Sequence, residues 1–163
     1  MVTEQNTERP RKSGHAPPYW LTRIHTSLYL WTGGAIGGRM GTSPILLLTT
    51  VGRKSGVLRT TPLIYLADGA RFALVASNGG AEQHPLWWRN LLADPRAGVQ
   101  VGRQNINMMA RQATPEERAQ LWPRLVAVYA PYADYQKRTT REIPVVILER
   151  AEIMLRDTGT TMA

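Results

Sequence analysis

The stretch ILLLTTVGRKSGVLRTTPLIYLADGARFALVAS, residues 45–77, decides the fold. It holds three runs rich in aliphatic and β-branched residues (45–51, 57–67 and 71–77), separated by Gly52-Arg53-Lys54-Ser55-Gly56 and by Asp68-Gly69. Runs of this kind bounded by glycine-containing turns read as strands, and Asp-Gly is a strong hairpin signal. Connections this short join antiparallel strands, because a parallel pair needs a crossover of a dozen or more residues.

Working outward, residues 78–84 form a second glycine-containing loop. Pro85 opens a short helix that Pro95 stops after Asp94. Two further strands are expected at 97–102 and 104–112. Thr114-Pro115-Glu116-Glu117 is a capping box, with Thr114 as the cap and Glu117 reaching back. Its helix carries Leu121, Trp122, Leu125 and Val128 on one stripe, and Pro131 breaks it and starts another with Tyr132 and Tyr135 on one face. A last strand is expected at 143–149, with Pro144 placing it at an edge or at a strand start. Upstream, Trp20, Ile24, Leu28 and Trp31 fall near helical spacing, so 19–31 reads as an amphipathic helix, followed by a glycine-rich loop at 32–44. The expected architecture is α+β: about six mostly antiparallel strands closing into a small barrel with flanking helices. A single domain spans 19–149, between a mobile N-terminal arm (1–18) and a C-terminal tail (150–163).

The 163 residues are 43% hydrophobic and include no cysteine. That composition supports one core and excludes a disulfide scaffold, a thiolate zinc site and a cysteine nucleophile. No apolar run approaches the ~20 residues of a spanning helix, and no signal peptide is evident, so a soluble, cytoplasmic chain is expected. The net charge is +8, and residues 9–67 contain eight cations and no Asp or Glu. A segment with that field attracts an anion.

Three groups of residues could carry chemistry. In the basic turn, two glycines allow a tight bend and offer N–H groups to an anion. Arg53 and Arg59 can grip phosphate or carboxylate, Lys54 adds a point charge, and Ser55 a hydroxyl. An incidental solvated turn is an equal alternative on those residues alone. The second group is Ala76-Ser77-Asn78-Gly79-Gly80 followed by His84-Pro85-Leu86-Trp87-Trp88-Arg89-Asn90, a small-residue loop and helix start that could meet an anion or a ring edge. Both tryptophans cannot face one narrow core stripe, so one is expected to be half-exposed or to line a pocket. The third is Tyr129, Tyr132 and Tyr135, which could close over a planar ligand or simply pack. His15, His25 and His84 lack metal spacing, so no metal site is expected. Cations, hydroxyls and aromatics without a protein nucleophile suit an enzyme whose cofactor performs the reaction.

Residues 46–56, Arg59, Thr61-Pro62-Leu63, Ser77-Asn78-Gly79-Gly80 and Pro85-Leu86-Trp87-Trp88-Arg89-Asn90-Leu91 resemble the deazaflavin-dependent nitroreductase family of actinobacteria, the type that includes F420H2-dependent quinone reductases. Ala110-Arg111, Thr114–Arg118, Trp122-Pro123, the three tyrosines and Ile143-Pro144-Val145-Val146 continue the match in order, across roughly 19–149. The resemblance implies a split β-barrel of the flavin-reductase and pyridoxamine-oxidase type. It also implies reduced coenzyme F420, a 5-deazaflavin with a phosphate and an oligoglutamate tail, as hydride donor. Arg53, Lys54, Ser55 and Arg59 would then hold the phosphate and tail. Thr60, Pro62, Leu63, Ala76, Ser77, Asn78, Leu86, Trp87 and Trp88 would line the ring. Trp20, Ile64, Ser77, Tyr129, Tyr132 and Tyr135 would face the acceptor, with Ser77 and the tyrosines as catalytic groups. The implied acceptor is planar: a quinone, an activated enone or a nitroaromatic. Asn78 stands where the nitroimidazole-activating member has a lysine, removing an anion contact, and Ile64 where it has a tyrosine, changing the pocket, so quinone or enone reduction is expected ahead of prodrug activation. An FMN- or haem-binding barrel and a non-enzymatic anion or nucleic-acid binder are the alternatives, although no nucleic-acid module is present. Peripheral contact of the 19–31 helix with anionic lipid on the inner face of the membrane is a compatible expectation.

Overall fold

The computed structural model describes residues 39–40 and 42–150. The arm, the 19–31 helix with Trp20, and the tail beyond Arg150 lie outside the described residues. The strands are β1 Arg39–Met40, β2 Ser43–Val51, β3 Leu58–Ile64, β4 Leu66–Asp68, β5 Arg71–Val75, β6 Arg96–Val101, β7 Gln104–Gln112 and β8 Val145–Arg150. The helices are α1 Leu86–Ala93, α2 Pro115–Val128 and α3 Pro131–Lys137, with a short 3-10 turn at Asn78–Gly80.

Every strand pair is antiparallel, and the hydrogen-bonded path runs β3, β2, β6, β7, β8, β5, β4. β1 adds to the start of β2, with Arg39 opposite Pro44. β3 and β4 therefore stand at opposite ends of the sheet, yet only Tyr65 separates them in the chain. A sheet can satisfy both conditions only by rolling round until its ends meet. Among the described residues no hydrogen-bonded ladder joins β3 to β4 or β5, so the barrel is split along that seam. The single strand expected at 57–67 is broken here because the chain changes partners at this corner. Tyr65 still donates its N–H to Pro44 (3.2 Å), while Leu66 already pairs with Ala73. β1 is the other addition, inside the expected 32–44 loop.

The barrel interior holds Leu46, Leu48, Leu74, Val99, Met108, Val146 and Leu148. α1 packs against this cluster with Trp87 and Trp88 both buried, at 6% and 3% exposure, so neither is left half-exposed as the sequence led us to expect. Trp87, Trp88, Asn90 and Leu91 are the buried positions of α1. At 100° per residue they cover an arc of about 160°, wider than the usual surface-helix stripe of about 100°. β8 lies between β7 and β5 and is buried on both faces, which explains its unbroken apolar run. Pro144 precedes its first residue, so the strand-start reading is the one observed. On the outer side of β5 and β8, Val75, Val145 and Ile147 meet Leu121 and Leu125 of α2 and Tyr132 of α3.

The capping box forms as read: Glu117 N donates to Thr114 Oγ1 (3.2 Å) and Thr114 N to Glu117 Oε2 (2.9 Å). Glu117 also takes two hydrogen bonds from Arg111 on β7, whose guanidinium reaches the buried Glu149 as well. The Arg111 hydrogen bonds hold the Glu117 carboxyl at about 2. Arg124 and then Arg71 hold Asp68 below its usual value. A carboxylate depressed in the folded state stabilises the fold above its unfolded value and loses that contribution as pH falls through the folded one. Acid unfolding followed by circular dichroism should accordingly steepen between about pH 4 and 2, and Glu117→Gln should flatten that slope. Arg111→Met leaves Glu149 buried without its close partner and should lower stability by about 3 kcal/mol in denaturant titration.

Candidate functional site

The β2–β3 turn is built by its glycines. Gly52 N donates to Val57 O (2.9 Å), and Gly56 N and Ser55 N donate to Gly52 O (2.7 and 3.1 Å). A Cβ on Gly52 would lie 2.8 Å from Ser55 Oγ, and Gly56 has φ +66°. Both glycine N–H groups are spent closing the turn, so they are not offered to an anion as the sequence reading supposed. The grip falls to side chains. Among the described residues Arg53 and Lys54 pair with no carboxylate, whereas Arg71, Arg96, Arg111 and Arg124 all do. Ser55 Oγ accepts from Val57 N (3.3 Å) and keeps its own proton to donate.

Residues facing each other across an antiparallel pair share a side. Arg59 stands opposite Thr50 and Leu63 opposite Leu46, on the barrel side of β3. Thr60, Pro62 and Ile64 point outward. Thr60 shares a 2.8 Å hydroxyl contact with Thr49, and Ile64 packs with Ile45 and Leu47. A depression of about 260 Å³ on this outer face is lined by Thr49, Thr60, Gly98, Gln100 and Asn107 among others, none of them charged. It offers an anionic group no opposite charge.

The loop after β5 is held from the far side of the seam. Ser77 is 8% exposed, and its hydroxyl has no hydrogen-bond partner among the described residues. What fixes it has no local sequence signal: Arg141, just beyond α3, donates to Ala76 O (3.3 Å), Ser77 O (2.9 Å) and Ala81 O (2.9 Å) and meets His84 Nδ1 at 3.1 Å. Since Arg141 can only donate, Nδ1 accepts and Nε2 carries the His84 proton. Burial, then Arg141 and Arg89, push the His84 value down. Glu82 accepts from Thr139 Oγ1 (2.9 Å) and Thr140 N (3.3 Å), a second tie between the same segments. Asn78, at φ 49°, turns its amide back to Gln83 O (3.0 Å).

Gly80 brings this loop against the tyrosines. A Cβ there would sit 2.7 Å from Tyr135 O, and its φ is +83°. Tyr129 and Tyr135 share a 3.3 Å hydroxyl contact, and the Tyr129 and Tyr132 rings meet edge-on at 5.0 Å. Burial raises the Tyr132 value first of all, and the Tyr129 contact that of Tyr135, so both are protonated donors at neutral pH. Ala76 and Ser77 are buried, Leu86 is exposed on α1, and Trp87 and Trp88 back the loop from the barrel core. The structure thus sets the cationic turn at the start of β3. The Ser77 loop and tyrosine trio lie beyond the end of β5, which approaches β3 across the open seam. Among the described residues no group of metal-ligating side chains forms, and no helix is long and apolar enough to cross a membrane. The segment on which the lipid expectation rests lies outside the described residues.

The fold is thus an antiparallel barrel split at one seam, with a cationic turn on one side and a serine loop and tyrosine cluster on the other. A family model for F420H(2)-dependent quinone reductase matches residues 20–150. An F420H(2)-dependent quinone reductase of Mycobacterium tuberculosis is 41% identical over 134 residues, 80% of this chain and 90% of its own length. A solved F420-H2 dependent reductase is 44% identical over 65% of this chain and 94% of its own, with TM-score 0.61. A solved domain-swapped dimer is 40% identical over 82% of this chain and 100% of its own, with TM-score 0.63. This chain belongs to the F420H(2)-dependent quinone reductase family, whose members are oxidoreductases that draw on reduced F420.

Gly80→Ala forces both a strained φ and a backbone clash. It should lower the thermal midpoint and raise the KM for a soluble quinone several-fold, measured together by thermal melt and steady-state assay. Arg141→Lys keeps the charge but cannot reach the same fork of acceptors. It should cost turnover with a soluble quinone while far-ultraviolet circular dichroism stays unchanged.

Proposed function

We propose that this chain reduces a quinone with electrons from F420H2, holding the cofactor along the open seam between β3 and the Ser77 loop. The carrying observation is the pairing of two features. Arg53 and Lys54, cations with no carboxylate partner among the described residues, stand at one end; a buried Ser77 hydroxyl, unpartnered among the described residues, stands at the other, in a loop that packs through Gly80 against Tyr135. These residues fit the group. Its phosphate and glutamate tail match side-chain cations in a stretch of sequence with no acid, and its ring matches apolar and hydroxyl-bearing surface.

When bound, the reduced deazaflavin supplies a hydride. The chain's own residues do the rest. Lys54 and Arg59 anchor the anionic tail, and exposed Leu86 bounds the ring, with Ala76 and the buried Trp87–Trp88 pair supporting that surface from behind. Reduction of a quinone to its hydroquinone takes one hydride and one proton per molecule. Ser77 and a tyrosine hydroxyl are placed to donate hydrogen bonds to acceptor oxygen as negative charge develops there. Holding donor and acceptor rings together removes several kcal/mol of the barrier, on the order of known effective-molarity gains. Ile64, turned to the outer face, would act on the acceptor only indirectly. Activated enones share the planar, oxygen-terminated form of a quinone and are the next acceptor class to assay.

Lys54→Ala combined with Arg59→Ala should raise the Kd for F420 at least about tenfold, read by fluorescence titration. Unchanged affinity would remove the anion clamp from the proposal. Tyr132→Phe and Ser77→Ala should lower kcat with a soluble quinone while leaving the F420 titration within about twofold of the parent.

A further inference from the structure

The basic turn projects from the end of a hairpin, and its glycines fix its internal shape but not its position on the barrel. That position depends on one side chain. Asn90, in the middle of α1, is 6% exposed. Its Nδ2 donates to Thr50 Oγ1 (3.1 Å) on β2, and its Oδ1 accepts the Arg53 N–H (3.2 Å) in the turn. Thr50 is itself 1% exposed, so both halves of the amide work where water does not compete. Thr50 lies opposite Arg59, so this strut is on the barrel side of the hairpin, the side on which Arg59 stands. The same helix carries Leu86, Trp87 and Trp88 four, three and two residues earlier. Asn90 therefore sets the spacing between the cationic turn and the wall of the ring site.

We infer that Asn90 is a positioning residue for the anionic end of the cofactor: it binds no ligand, but holds the turn where Lys54 and Arg59 can meet a phosphate while α1 holds the ring. This rests on the F420 reading above. Among the described residues, losing the amide leaves the hairpin tip held by its own strand pairing. A lysine or arginine head displaced by a few ångströms loses most of a short charge-assisted contact. The ring contacts, made by other residues of α1 and by the 76–80 loop, should be little affected.

The test is binding rather than turnover. The full chain is titrated with F420 and, separately, with the deazaflavin chromophore that lacks phosphate and glutamates. Parent protein should prefer F420 clearly. Asn90→Ala should weaken F420 about tenfold and leave the tail-less chromophore within about twofold. Because Asn90→Ala strands the Thr50 hydroxyl, Asn90→Asp is the second variant. A carboxylate still accepts from the Arg53 N–H and from a rotated Thr50 hydroxyl, so the fold is kept. Its added negative charge beside the turn should again weaken F420 selectively and steepen the loss at low salt. If both variants keep the preference of the parent, or lose both ligands equally, the positioning role is overturned while the F420 reading stands. If parent protein binds F420 no better than the tail-less chromophore, the anion clamp itself is overturned.

Discussion

A single residue between two strands at opposite ends of one sheet governs this molecule. Tyr65 lets the chain leave β2 and join β5 without a loop, so the sheet has to roll into a barrel. β3 cannot also pair with β5, so it is left with one edge open. Closed barrels hide every strand edge, and an open edge normally has to be protected. Here it is flanked by a cationic turn, a buried serine loop and a helix with two tryptophans. The proposed function places the cofactor along that edge.

The cleft is held by a few side chains that span the fold. Arg141 ties the chain leaving α3 to the carbonyls around Ser77, and Glu82 answers with Thr139 and Thr140. Asn90 ties α1 to the basic turn. Each makes a hydrogen bond to a backbone group in a segment that connects two elements. Arg53 and Lys54, by contrast, have no acid partner among the described residues, in a protein whose other cations are often paired. Unpaired charge at the mouth of a cleft draws in an anionic ligand and raises its encounter rate. Paired charge, as in the Arg111–Glu117–Glu149 cluster, fastens α2 to the sheet.

Local patterns were readable before any coordinates. The β2–β3 hairpin, the Asp68-Gly69 turn, the capping box at Thr114 and the Pro131 break all follow from residues within a few positions of one another. The cationic character of the turn was legible because 9–67 holds no acid. The break at Tyr65 was not, because it depends on β5 taking up a strand that β2 releases. The burial of Trp88 was hidden for a similar reason: a helix packed across a barrel is covered over a wider arc than one lying on a sheet. Arg141 carries no local sequence signal, and Asn90 falls in a candidate stretch without a role of its own, because the partners of both lie 37 to 65 positions away. The glycines of the turn were read correctly as a bend. Their N–H groups were assigned to a ligand when the bend itself consumes them, a distinction that only hydrogen-bond geometry reveals.

Amide hydrogen exchange of the full chain with and without F420 puts the seam to the most direct trial. Binding along the open edge should slow exchange in the turn and β3 (52–64) and in the loop and helix (76–91), leaving β6 and β7 as they are. Slowing confined to β6 and β7, on the uncharged outer depression, would mean that the cofactor lies elsewhere and that the split in the barrel is not its binding site.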